Sequence, residues 1–151
     1  MLKITCRKKN CEKFLWICLV LFMTCCSLCA KEKTPYVGKG EFVLASESSD
    51  FEIAGVNLYF FNKSEKAVVG FTVVFYLFDE DGEPVSTGRS NIALAVQKVI
   101  EPMAAFEETI SLDKYFVTVP ESEYSVDFFY VSKIVYEDGT TWKDPLGMMS
   151  Y

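Results

Sequence analysis

The sequence predicts an all-β fold, an antiparallel β-sandwich of about seven strands. Apolar and polar residues alternate in several segments, which is the pattern of a strand with one buried face. Turn-forming residues separate these segments at short intervals, as in sandwiches. Residues 31–151 contain neither cysteine nor histidine, and they are numerous enough for one domain with a core held by packing alone.

The first two strands are predicted over residues 41–46 and 53–61. In the second, Val56, Leu58 and Phe60 alternate with residues that suit a solvent-facing side. This period of two predicts that these three side chains face the core.

The later strands are longer and richer in aromatic residues. Residues 68–78 are β-branched or aromatic at both parities, which predicts a central strand. Residues 106–112 alternate again, and residues 124–136 predict a long strand. An Asp-Gly turn at 138–139 then predicts a hairpin whose returning strand carries Trp142.

Residues 91–103 fit two structures. Ile92, Leu94 and Val96 suit a strand, whereas a helical stripe with Asn91 as its N-cap fits the same residues. Because strands are predicted on both sides, we expect a strand here.

Residues 1–30 have the layout of a secretory signal helix. Basic residues come first, an apolar run covers residues 14–23, and small residues follow. The alternative is an uncleaved membrane anchor, but spanning a membrane takes about 20 apolar residues and this run is short. We therefore expect an exported protein, with residues 31–40 as a polar tether.

All six cysteines lie between Cys6 and Cys29. Three of them, Cys25, Cys26 and Cys29, come at the end of the apolar run, and this segment resembles a bacterial lipoprotein signal. The resemblance implies acylation of one of the three and anchoring to a membrane of the cell envelope. The residues before each cysteine depart from the strict lipoprotein box, so ordinary cleavage to a soluble secreted or periplasmic protein is the alternative.

Residues 41–145 resemble small immunoglobulin-like domains of bacterial envelope proteins. The resemblance rests on an N-x-S-x-K turn at residues 62–66, a D-x-D-G-x-P turn at residues 79–84, and the stretch Tyr130–Trp142. It implies an immunoglobulin-like sandwich over residues 41–151. It brings no catalytic residues.

Charge and composition exclude several function classes. Residues 1–30 hold five of the 15 basic and one of the 21 acidic residues, so residues 31–151 carry 10 basic and 20 acidic residues, a net charge of −10. Such a surface repels phosphate backbones, and we expect no nucleic-acid partner. Without histidine, and without cysteine after Cys29, the usual general bases, thiol nucleophiles and zinc ligands are missing, so we expect no enzyme and no cofactor.

The turn with Asp79, Asp81 and Glu83 is the first candidate site. Alternating carboxylates beside Gly82 resemble part of a calcium loop, but the twelfth position, Ser90, cannot supply the required carboxylate. Asp and Gly also favour tight turns for conformational reasons alone.

Aromatic residues are the second candidate. Tyr59, Tyr76 and Phe129 occupy the less apolar side of their predicted strands, where they could stack on a glycan or anchor a protein partner. Most aromatic residues of a sandwich fill its core instead. The sequence thus favours a non-enzymatic, lipid-anchored envelope module for protein interaction or assembly; the alternative is an accessory module that binds a glycan or calcium.

Overall fold

Seven strands form in residues 34–85 and 91–149, the part of the chain that the computed structural model describes. The predicted signal, with Cys25, Cys26 and Cys29, lies outside these residues and stays a prediction. The described part contains no helix of the length and apolarity needed to cross a membrane. The strands are β1 Tyr36–Leu44, β2 Ala54–Asn62, β3 Val68–Phe78, β4 Ile92–Val96, β5 Ala105–Ser111, β6 Ser125–Tyr136 and β7 Thr141–Lys143.

The strands pair antiparallel in two sheets. The three-stranded sheet has the order β1-β2-β5, and the four-stranded sheet has the order β4-β3-β6-β7. The two sheets pack face to face over one apolar core. This arrangement confirms the prediction of an antiparallel, immunoglobulin-like β-sandwich.

Inward-facing side chains of both sheets meet in the core. Val56, Leu58 and Phe60 are buried, as their alternation predicts. The Phe60 ring stacks on Phe71 of the other sheet, with 4.3 Å between ring centroids. Trp142 of the short strand β7 also packs against this core.

One buried polar residue, Asn62, ties the end of β2 to the segment after β4. Its amide nitrogen donates to the carbonyl oxygens of Lys66 at 2.8 Å, Glu101 at 3.1 Å and Ile100 at 3.2 Å. Its Oδ1 accepts from the backbone N–H of Ser64 at 3.0 Å. The N-x-S-x-K turn is therefore a structural motif, because a buried amide is stable only with its hydrogen bonds made.

The first strand begins at Tyr36, so the predicted tether over residues 31–40 is wrong for residues 36–40. Gly38 and Gly40 made this stretch look like a linker. Both glycines instead face the Phe129 ring, and a Cβ at Gly38 would lie 2.9 Å from its Cε1 atom. Glycine is needed here because the ring and the backbone approach closely.

Residues 91–103 form a strand and a loop, so the strand prediction is confirmed over Ile92–Val96. Beyond the strand, Ile100 exchanges two backbone hydrogen bonds with Val68, at 2.8 and 2.9 Å. This bridge extends the pairing of β3, because its first residue would otherwise lack a partner on this side.

Candidate functional site

The outward side of the four-stranded sheet carries aromatic side chains that the core does not use. Tyr76 and Phe78 face outward because Phe75 and Leu77, which alternate with them, face the core. The Phe128 ring lies 5.8 Å from the Tyr76 ring and 6.1 Å from the Phe78 ring, between centroids. We define the outer aromatic surface as Tyr76, Phe78, Phe128, Tyr130, Pro145 and Leu146.

A concavity of about 450 Å³ lies on this surface. It is lined by most of the outer aromatic surface and by Asn91, which precedes β4. Ring faces next to an amide offer apolar contact together with hydrogen-bonding groups, which is the composition of many binding sites.

Phe128 faces outward because of a bulge in β6. Val74 pairs with Tyr130 and Tyr76 pairs with Asp127, so β6 has one residue more than β3 in this stretch. Phe128 adopts a φ of 49°, and its N–H donates to Asp127 Oδ1 at 2.7 Å. This left-handed conformation costs a residue with a Cβ about 1–2 kcal/mol. A strained aromatic residue that is still 47% exposed indicates a functional position.

The segment after β7 is fixed against the same side of the sheet. Asp144 is buried, and its carboxylate accepts the backbone N–H groups of Met148 at 3.0 Å and Met149 at 2.8 Å. Gly147 lies flat on the Tyr130 ring; a Cβ there would come within 2.8 Å of Cγ, and φ is +67°. The loop is therefore built around a carboxylate cap and a glycine contact.

This loop presents apolar side chains to solvent. Leu146 and Met148 are each 73% exposed. The Tyr130 hydroxyl donates to the Pro145 carbonyl at 3.3 Å, which holds the start of the loop over the sheet. Since the loop backbone is fixed, the exposed side chains extend the outer aromatic surface at little entropic cost on binding.

Unpaired charges lie at the two ends of this side of the sheet. At one end Lys133 and Lys143 are direct cross-strand partners, and neither forms an ion pair with another described residue. At the other end, the turn at residues 79–83 follows Phe78 and exposes three of its acids. No ion pair involves that turn within the described ranges.

The predicted aromatic candidates are separated by the fold. Tyr76 belongs to the outer aromatic surface, whereas Tyr59 lies on the outward side of the three-stranded sheet. Tyr59 stands between Lys39 and Glu107 in the cross-strand register. It is thus surrounded by charged groups and does not join Tyr76.

Phe129 does not have the surface position that the sequence predicts. It packs against the core, with its ring 6.4 Å from the Phe75 ring, and lies over Gly38 of β1. The prediction failed because the bulge shifts the alternation of β6, so that Phe128 faces outward.

Sequence reasoning missed Phe128, Tyr130 and Leu146. A signal for the first was available: Phe128 and Phe129 are adjacent, and neighbouring residues of a regular strand point to opposite faces. Which of the two faces outward depends on the register with β3, which the sequence does not state.

Hydrogen bonds to Asp79 organise the acidic turn. Asp79 Oδ1 accepts the backbone N–H groups of Asp81 at 3.0 Å and Glu83 at 2.9 Å, and Gly82 has a φ of +78°. No group of three or more potential metal-ligating residues occurs in the described ranges. The arrangement therefore supports the conformational interpretation of Asp79, Asp81 and Glu83, and the calcium hypothesis stays a prediction.

A second concavity, of about 470 Å³, lies beside the loop between β1 and β2. Its polar lining includes Ser46, Ser48 and Ser49. The Ser46 hydroxyl lies 3.2 Å from that of Ser48 and 3.1 Å from that of Ser49, so the three hydroxyls satisfy one another. These contacts hold the loop together.

Asp113 anchors the start of β2. Its carboxylate accepts backbone N–H groups of Glu52 at 3.0 Å, Ile53 at 2.7 Å and Ala54 at 3.2 Å. These hydrogen bonds, that of Glu52 foremost, lower the pKa of Asp113 to about 2. The role of this carboxylate is structural, because all its contacts hold the chain ends of the three-stranded sheet.

Comparisons with known proteins identify no family for this chain. No protein-family model and no curated protein matches the chain. Among solved structures, the X-ray structure of Northeast Structural Genomics Consortium target SoR45 is similar, with a TM-score of 0.41 and 15% identity. The match covers 72% of this chain and 79% of that one.

Proposed function

We propose that this chain is a non-enzymatic, exported and lipid-anchored module of a bacterial cell envelope, and that it binds another protein molecule through the outer aromatic surface. The observation that carries the proposal is Phe128, an exposed aromatic residue in a strained backbone conformation at the centre of an apolar group. Residues of this type dominate binding energy at protein interfaces.

The lipid anchor is proposed from the cysteine distribution. Residues 31–151 contain no cysteine, whereas Cys25, Cys26 and Cys29 follow the apolar run of the signal. Two or more acyl chains on one cysteine give stable membrane attachment. The anchor would then hold the β-sandwich at the membrane.

Metabolic labelling with a fatty-acid analogue tests the anchor. The full chain should be labelled, and replacing Cys25 and Cys26 together should remove the label. An unlabelled wild-type protein whose intact mass fits plain cleavage after residue 29 or 30 would contradict the anchor.

Site-specific photocrosslinking tests the binding surface. A photoreactive phenylalanine analogue replaces Phe128 in the full chain, in the cells that produce it, and the same analogue replaces Tyr59 as the matched control. We expect a protein adduct from position 128 and none from position 59. Adducts from position 59 alone would contradict the proposal, because they would place the binding surface on the three-stranded sheet.

A glycan is the second candidate ligand, favoured by the concavity in which Asn91 lies beside Tyr76 and Tyr130. Sugar rings stack on aromatic faces while amides bind their hydroxyl groups. Titration of the protein with oligosaccharides of the cell envelope, followed by calorimetry, separates the two candidates: saturable heat that Tyr76→Ala abolishes favours the glycan.

A further inference from the structure

On the outward side of the four-stranded sheet, a lysine pair and an acidic turn lie on opposite sides of the outer aromatic surface. Lys133 and Lys143 lie at one end, the outer aromatic surface lies in the middle, and the acidic turn at residues 79–83 lies at the other end. From Thr72, which pairs with Lys133, to Phe78, the six residue steps of β3 span about 20 Å. The outer aromatic surface therefore lies between the lysine pair and the acidic turn.

This order is complementary to itself. A two-fold axis that lies in the interface, parallel to the sheet and perpendicular to its strands, and that passes over Tyr76, turns the lysine pair of one copy toward the acidic turn of another. The aromatic groups of the two copies then meet at the axis. Isologous contacts of this kind, in which one patch serves both partners, are the commonest in homo-oligomers.

The lysine pair supplies an independent reason to expect acidic groups from outside. Like charges directly opposite on adjacent strands destabilise a sheet. On the other sheet the cross-strand neighbour of Lys39 is uncharged, and Lys39 binds Glu41 at 2.9 Å. Lys133 and Lys143 have no such partner among the described residues.

We infer that the partner of the outer aromatic surface is a second copy of this chain, bound antiparallel so that Lys133 and Lys143 of each copy face the acidic turn of the other. The inference rests on the proposed function, since it names the protein that the same surface binds. The contact closes on itself, so the assembly stops at a dimer.

The test uses two differently tagged copies of the full chain in one cell, each with the photoreactive residue at position 128. We expect an adduct of twice the chain mass that carries both tags. An adduct with a different protein or with a glycan overturns the dimer; the protein adduct leaves the proposed function standing. The absence of any adduct overturns both.

Charge reversal tests the antiparallel arrangement. Lys133→Glu with Lys143→Glu should lower the adduct yield at least about ten-fold, because like charges then meet at both ends of the dimer. Adding Asp81→Lys and Glu83→Lys to the same chain should restore the yield, since each copy again meets opposite charge.

Lys63→Glu with Lys114→Glu is the matched control, with the same change in net charge at exposed lysines on other elements. Its yield should equal that of the wild type, and melting curves should show that all variants are folded. If the control loses as much yield as Lys133→Glu with Lys143→Glu, or if the four-residue reversal restores nothing, the antiparallel arrangement is wrong.

Discussion

The outward sides of the two sheets differ in how their charged and apolar side chains are arranged. On the three-stranded sheet Lys39 binds Glu41, and the Asn57 amide donates to Glu107 at 3.2 Å. Charges of both signs alternate there, and each lies beside a partner. On the four-stranded sheet the pair Lys133 and Lys143 and the acidic turn at residues 79–83 are separated by apolar side chains.

This difference shows on which outward side the charged groups find partners within the folded domain. On the three-stranded side Lys39 and Glu41 are paired and Glu107 accepts a hydrogen bond from Asn57. The four-stranded side keeps Phe128 strained and exposed, and it leaves Lys133 opposite Lys143. Features that cost stability in the isolated domain are typical of surfaces that act in binding.

The edges of the three-stranded sheet are protected as well. Glu108 of the edge strand β5 pairs with the buried Leu58, and its carboxylate lies 3.5 Å from the Lys98 ammonium group. A charged residue on the inward side of an edge strand discourages pairing with another strand. Glu108 therefore protects the β5 edge of this sheet against pairing with another strand.

The largest effect is expected from Phe128→Asn, and Tyr59→Asn is its matched control. Phe128→Asn should remove about 2 kcal/mol or more of binding energy, because a central aromatic anchor is lost. Its folding stability should be kept or raised, since asparagine tolerates the left-handed conformation. Tyr59→Asn should leave binding unchanged. Adduct yield from a photoreactive residue at position 130 and thermal melting measure the two quantities; equal loss of binding in both variants would contradict the distinction between the two sides.

The next prediction compares the stability and binding of Gly147→Ala with those of Gly82→Ala. Gly147 and Gly82 both have positive φ, so each substitution to alanine should cost about 1 kcal/mol of folding stability. At Gly147 the new methyl group also meets the Tyr130 ring, whereas nothing lies within 4 Å at Gly82. Denaturant unfolding should show the greater loss for Gly147→Ala, with weaker binding. Reduced binding in Gly82→Ala alone would contradict the role of the loop.

Asp113, beside the three-stranded sheet, should contribute to the response of the protein to acid. Because the pKa of Asp113 is lowered to about 2, the stability that this carboxylate contributes is fully present above its ordinary pKa, near 4, and is lost as the pH falls toward 2. Asp113→Asn should therefore reduce the pH dependence of the melting temperature between pH 4 and pH 2. A slope identical to that of the wild type would show that other carboxylates carry the acid response.

The smallest predicted effects are shifts in melting temperature, and they have opposite signs for two lysine substitutions. Lys39→Gln should slightly lower the melting temperature of the monomer, because it breaks the bond to Glu41 that raises the pKa of Lys39. Lys133→Gln should slightly raise it, because the repulsion from Lys143 disappears. Melting at low salt and low protein concentration measures both. Shifts of the same sign would contradict the contrast in charge pairing.

The sequence predicts those parts of the fold that follow from local pattern. The strand over Val68–Phe78 has the predicted limits, because β-branched and aromatic residues fill both of its faces and a glycine turn ends it. The first strand is longer than predicted, because Gly38 and Gly40 have low strand propensity and are chosen for their contact with Phe129. That contact joins distant parts of the chain and leaves no local signal.

The candidate site depends on register, which explains why only part of it was predicted. Tyr76 follows from the alternation of β3. Phe128 in place of Phe129 depends on a bulge between two strands, and Leu146 depends on the way Asp144 and Gly147 fold the loop back. Each of these is a tertiary contact that a one-dimensional pattern does not contain.

Hydroxyl-radical footprinting of the full chain tests the central claim most directly, namely that the outward side of the four-stranded sheet is covered when the protein functions. Oxidation of Phe128 and Leu146 is compared between intact cells and the dilute purified protein, with the half-buried Tyr59 and the exposed Val117 as references outside this side of the sheet. The account predicts strong protection of Phe128 and Leu146 in cells and equal oxidation of Tyr59 and Val117 in both samples. Equal oxidation of Phe128 and Leu146 in both samples would contradict it.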